Sequence, residues 1–134
     1  MTAINTPRNA TLKSGLTVVG AGYLLTNDGV DNKLDLTAAG EVALGVSMDE
    51  SERDASGLVS GGTVGYTPMG GVLMVASATG ITWTTGLTVY AGAGGLATAT
   101  AGSNKKIGLY IGEGTATSAD GDLIPVMTGA SVIA

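Results

Sequence analysis

The chain has 134 residues, 23 of them glycine, with a net charge of −5 and only 13% charged residues. It has no cysteine and no histidine, which removes disulfide frames, thiolate metal sites and the commonest general base. The acidic balance offers no basic footprint for nucleic acid, and no stretch approaches the roughly 18 apolar residues that span a bilayer. Phenylalanine is also absent, so Val, Leu, Ile, Met and Ala must build the core around Trp83 and four tyrosines. These side chains bury less area than large aromatics. So thin a core calls for an oligomer or a partner surface.

Met1 to Arg8 shows little strand signal and no apolar signal core. Pro7 disfavours helix at Thr6. The segment reads either as a free tail or as an arm lying along a partner, with Ile4 in an apolar pocket and Arg8 on a carboxylate. The expected organisation is an extended arm over 1–12 and a single β domain over 13–134.

The stretch TVVGAGYLL, 17–25, begins as a dinucleotide-binding turn does. That fingerprint needs a small residue three positions after its second glycine and a helix opening there. Here Leu25 holds the position, and Asn27-Asp28-Gly29 follows as a turn. The expected structure is a strand, a glycine corner and another strand, with no nucleotide site.

Further along, Val42, Leu44, Val46 and Met48 alternate with Ala43, Gly45 and Ser47, and Ile107, Leu109 and Ile111 alternate with Gly108, Tyr110 and Gly112. Both runs predict half-buried strands with those side chains inward. The segment 49–54 holds Asp49, Glu50, Glu52, Arg53 and Asp54. It reads as a solvated loop, because a one- or two-turn helix there is marginal alone. Val72 to Ala76 is apolar on both faces, as in a central strand or one covered by a subunit. Residues 87–91 and 123–127 are further strands. Turn signals at 27–29, 70–71, 79–80, 94–95 and 120–121 separate them. Gly15-Leu16-Thr17-Val18 recurs as Gly86-Leu87-Thr88-Val89, each leading to a glycine corner. The expectation is an all-β chain, a small Gly-rich barrel or sandwich of short antiparallel strands with little helix.

Candidate chemistry is sparse. Asn27 to Asp31 and Asp120-Gly121-Asp122 resemble pieces of calcium loops, but neither completes the alternating ligand spacing. The acidic run 49–54 reads as a wet face, not as a carboxylate pair in an apolar pocket. No Ser lies in a nucleophile elbow. The chain reads as no enzyme, with no cofactor and no metal.

The segment 86–129 resembles the small cement or decoration proteins of tailed-bacteriophage capsids. Gly86, Val89-Tyr90, Gly95, Ala97-Thr98, Ile107-Gly108, Ala119-Asp120-Gly121-Asp122 and Ile124 to Val126 follow that family's order of turns and strands. Ala38-Ala39-Gly40-Glu41 and Leu44-Gly45-Val46 are similar to its first strands. The acidic stretch 49–54 departs from the pattern and leaves room for another phage component, such as a tail or fibre protein. A secreted carbohydrate-binding module is the other alternative, although such a site wants more exposed aromatics than one Trp and four Tyr provide.

The resemblance implies a homotrimer, with a dimer as the alternative, made in the host cytoplasm. It implies a place on the outer capsid surface, bridging subunits of the major capsid protein after the shell expands. Partners are then the major capsid protein and other copies of the chain, with no direct contact to nucleic acid or membrane. Ile4, Pro7, Arg8, Val72 and Met74 are the expected contact residues.

Overall fold

The computed structural model describes residues 7–113 and 117–129. Among these, short strands run in chain order as β1 Arg8–Thr11, β2 Leu24–Asn27, β3 Leu34–Leu36, β4 Gly45–Ser47, β5 Arg53–Asp54, β6 Gly57–Leu58, β7 Thr63–Pro68, β8 Gly71–Ala76, β9 Thr88–Ala91, β10 Ala97–Thr98, β11 Lys105–Tyr110 and β12 Leu123–Thr128. A single 3-10 turn spans Ala93–Gly95. The chain is all-β. Two five-stranded antiparallel sheets, β1-β7-β4-β2-β3 and β8-β12-β11-β9-β10, pack as a small sandwich. Neither closes into a barrel. One isolated parallel bridge lies at the ends of the edge strands of each sheet, Leu12 to Leu34 in the first and Ser77 to Ala97 in the second, with no ladder between those edges.

The two sheets are one module built twice. Reading the strand orders side by side pairs β1 with β8, β2 with β9, β3 with β10, β4 with β11 and β7 with β12. The ladders agree residue by residue. Gly45 faces Pro68 as Gly108 faces Thr128, and Ala10 faces Val64 as Val75 faces Ile124. The connections agree too. The Gly22 amide donates to Ser47 O, and the Gly86 amide to Tyr110 O, both at 2.8 Å. The Gly15-to-Val18 and Gly86-to-Val89 echo therefore does not mark the repeat. Gly86 stands where Gly22 stands, and Val89 stands where Leu25 stands.

Each module has its own interior. Ala10, Leu12, Val18, Leu25, Leu34, Val64 and Tyr66 fill the first. In the second, Val75, Val89, Ala97, Ile124 and Val126 take the places of Ala10, Leu25, Leu34, Val64 and Tyr66, and Trp83 joins them. Burying each large aliphatic side chain contributes about 1.5–3 kcal/mol. The modules are also joined, because Leu24, Ala43 and Val46 of the first pack into the core of the second.

Several expectations change in this architecture. Val42, Leu44 and Met48 point to solvent at 59%, 45% and 50% exposure, while Ala43 and Val46 are buried. The ladder here is only three residues long, and Gly45 lies hard against Thr67 O and the Tyr66 ring, so the alternation does not extend through it. In β11 the register shifts between Lys106 and Gly108. This bulge turns Ile107 and Tyr110 inward and leaves Leu109 half-buried. The run 49–54 is no plain loop, since Arg53 and Asp54 pair with Leu58 and Gly57 in a hairpin. β8 is an edge strand, not a central one. The arm boundary at residue 12 also falls too late, because β1 pairs with β7 from Arg8 to Thr11 and Leu12 is fully buried.

The glycine corner at 20–22 has a packing role. Gly22 sits at φ +88°, its carbonyl accepts from the Ala76 amide at 2.8 Å, and a Cβ there would run into the Leu123 side chain. No helix follows; β2 does.

Candidate functional site

The second sheet keeps one face bare. Antiparallel partners share a face, so the register aligns Leu109, Met127 and Val72 in one row and Pro125 with Met74 in the next. Leu123 lies beyond them, opposite Ala76. Val72, Met74, Leu123 and Met127 remain 54%, 47%, 46% and 41% exposed, and Leu109 and Pro125 are half-buried. No charged residue stands in these two rows. Contiguous apolar surface of this kind on a small protein marks a contact site.

The first module supplies an internal comparison. The places of Val72, Met74, Leu123, Pro125 and Met127 are held there by Pro7, Asn9, Thr63, Gly65 and Thr67, as the two ladders show. All five are exposed or half-buried. The same backbone thus folds with a polar or small set at these stations, and the apolar set is no requirement of the fold. One station differs in another way. Val46 corresponds to Leu109 and is 4% exposed, because the second module covers it.

Of the expected contact residues, Val72 and Met74 come together on this face. Pro7 and Arg8 are exposed at the start of β1, in the other sheet, at the stations equivalent to Val72 and Leu73. Ile4 lies outside the described residues. Leu109, Leu123, Pro125 and Met127 were not singled out from sequence. The available signal was the apolar character of both alternating sets in 123–127, the pattern that had marked 72–76.

The polar loops serve the turns that contain them. Asn27 Oδ1 accepts from the Gly29 amide at 2.7 Å. Asp28 Oδ1 accepts from Val30 and Asp31, both at 3.0 Å, and from Lys33 at 3.4 Å. These amides, that of Val30 first, hold the Asp28 carboxyl below its ordinary range. Asp120 Oδ1 accepts from Thr79 and Asp122 Oδ2 from Ala119, both at 2.8 Å. In the acidic run, the Arg53 guanidinium donates to both oxygens of Glu50, at 2.7 and 3.0 Å, which lowers the Glu50 pKa. Among the described residues no three carboxylates gather into a metal-holding group. Compared with models of known protein families and with curated sequences, the chain matches none.

Proposed function

We propose that this chain is a structural virion protein that docks on the exterior of an expanded phage capsid and bridges its subunits, working as a homotrimer. The observation that carries the reading is the bare apolar face of Val72, Met74, Leu109, Leu123, Pro125 and Met127. A small all-β protein with such a face is suited to burying it against protein. The similarity of 86–129 to capsid cement proteins supplies the setting. A protein that binds the assembled, expanded shell and not free subunits stabilises the shell by mass action. Many copies on a repeating lattice add avidity without an active site.

The test first looks for a major capsid gene beside the coding sequence, whose absence counts against the reading, and then assembles that gene's product into expanded, undecorated shells. Saturable co-sedimentation of the chain with expanded but not unexpanded shells, with a raised shell melting temperature, is the expected result. No binding to either form rejects the reading. Binding only to tails or fibres replaces it with a role there.

A further inference from the structure

We infer that the docking face proposed above ends in a cationic station, Lys106, and that the capsid surface seated on it sets a carboxylate against that ammonium, an addition that rests on the capsid reading and names the chemistry of the partner's contact.

The face does not stop at its apolar rows. Val89 and Ala91 are buried, so Thr88 and Tyr90, which alternate with them on β9, point outward. Antiparallel partners share a face. Leu109 stands opposite Thr88, Lys106 opposite Tyr90, and Thr98 opposite Tyr90 on its other side. The register shift between Lys106 and Gly108 takes up Ile107, which is buried, so Lys106 and Leu109 are successive outward residues of β11. The row of Thr98, Tyr90 and Lys106 therefore adjoins the row of Thr88, Leu109, Met127 and Val72.

Lys106 is the one charged residue in these rows, and it has no anion of its own. Among the described residues, ion pairs join only Lys13 to Asp35 and Arg53 to Glu50. In water an unpaired ammonium is well solvated. A partner that covers Leu109, one row away, strips water from Lys106 as well, and burying a charge is costly unless it is paired. An apolar surface without an anion at that point binds against this cost. The charge of the whole chain sharpens the choice. A net charge of −5 repels an acidic partner in general, whereas Lys105 and Lys106, two of the six cations side by side, reverse the sign at this end of the sheet. An aliphatic patch bordered by Asp or Glu answers both features.

The test is co-sedimentation with the expanded, undecorated shells. Lys106→Glu is expected to weaken binding at least tenfold, and Lys106→Gln at least about threefold. Lys33→Glu makes the same change of charge between β2 and β3, in the other sheet, and should bind within about twofold of the wild type, which separates a contact from general repulsion. Raising NaCl from about 50 to about 500 mM should weaken the wild type more than Lys106→Gln. Circular dichroism melts check that each variant folds. If Lys106→Glu does not, Lys106→Gln is read in its place at its own threshold. Wild-type binding with Lys106→Glu no weaker than Lys33→Glu overturns the contact and leaves the capsid reading standing. No wild-type binding to any shell overturns both. If Lys106→Glu disrupts association between free copies while each copy still binds the shell as tightly, the carboxylate belongs to another copy and the contact with the capsid is likewise overturned.

Discussion

The indole N–H of Trp83 donates to Ser77 Oγ at 2.8 Å, deep in the second core. In the first module the station of Ser77 holds Leu12, as the matching bridges Leu12 to Leu34 and Ser77 to Ala97 show. The Ser77 hydroxyl satisfies the ring nitrogen, as a buried Trp requires. Trp83 also stacks on Tyr110, with centroids 5.7 Å apart.

The pair should therefore behave as a unit. Trp83→Val alone opens a cavity and is expected to cost about 3–5 kcal/mol, near the range for large aromatic truncations. Ser77→Leu alone overpacks the site and removes the acceptor for the indole N–H, at about 1–3 kcal/mol. The double variant removes both partners of the buried hydrogen bond and gives the added leucine part of the space the indole vacates, so it should cost at least about 1 kcal/mol less than the two singles combined. Urea denaturation of the three variants measures this, and strict additivity would be the contrary result.

Trp83 is the only tryptophan, so its fluorescence reports on the second module alone. Because Leu24, Ala43 and Val46 of the first module belong to the second core, both modules should unfold together. Tryptophan emission and far-ultraviolet circular dichroism are expected to give coincident urea transitions. An early Trp-silent phase in the dichroism would mean that the first module melts by itself.

Gly22 and Gly15 share a left-handed backbone but differ in surroundings. At Gly15 a Cβ meets nothing within 4 Å, so Gly15→Ala should cost only about 1–2 kcal/mol of backbone strain. At Gly22 the Cβ collides with Leu123 and comes within 2.8 Å of the Ala76 amide nitrogen. Gly22→Ala should then cost more than about 3 kcal/mol, strain and clash together. Thermal melts rank the two. Calorimetric titration of the wild type with NAD or ATP should meanwhile show no heat of binding, since the corner packs against β8 and opens a strand, not a helix.

Truncation separates the expected arm from the observed fold. Deleting residues 1–12 removes β1 and the fully buried Leu12, and should abolish cooperative folding or lower the melting temperature by at least about 8 °C. Deleting 1–6 keeps β1 whole and should leave the melt within a few degrees. Equal effects from both deletions would contradict the assignment of Arg8–Thr11 to the sheet.

Asp28 gives a pH signature. Its carboxylate is held down by the Val30, Asp31 and Lys33 amides. A depressed folded-state pKa contributes stability above the ordinary carboxylate pKa and loses it as the pH falls through the lower folded value. NMR titration should find a lower Asp28 midpoint in the protein than in a peptide of residues 26–35. Asp28→Asn should flatten the acid dependence of amide exchange in the turn between β2 and β3. Matching midpoints in peptide and protein would count against the bonding pattern.

The strands over 72–76, 88–91 and 123–128 were legible as runs of β-branched and aliphatic residues between glycine turns. The facing of Val42 to Met48 was not, because Gly45 presses on Tyr66 and Thr67, a contact distant in sequence. A bulge at Ile107 is likewise invisible to a period-two reading. The duplication escaped for a related reason: the modules share hydrogen bonds and register, but few identical residues. Leu12 against Ser77 and Tyr66 against Val126 hold the same stations in different chemistry. Val72 and Met74 were readable as an excess of apolar faces, whereas the rest of their surface emerges only once β12 is seen to lie beside β8.

Only Met69 and Gly70 separate β7 from β8, and both are tied. The Met69 amide donates to Leu44 O at 3.1 Å, in the first module. The Gly70 amide donates to Thr128 Oγ1 at 2.9 Å, in the second, and that hydroxyl donates to Gly71 O at 2.8 Å. A connection this short and this fastened has no slack to act as a hinge. The angle between the polar outer face of one module and the apolar outer face of the other is thus fixed like that of a bracket. Force applied at one face is delivered to the other as torque instead of being absorbed by bending.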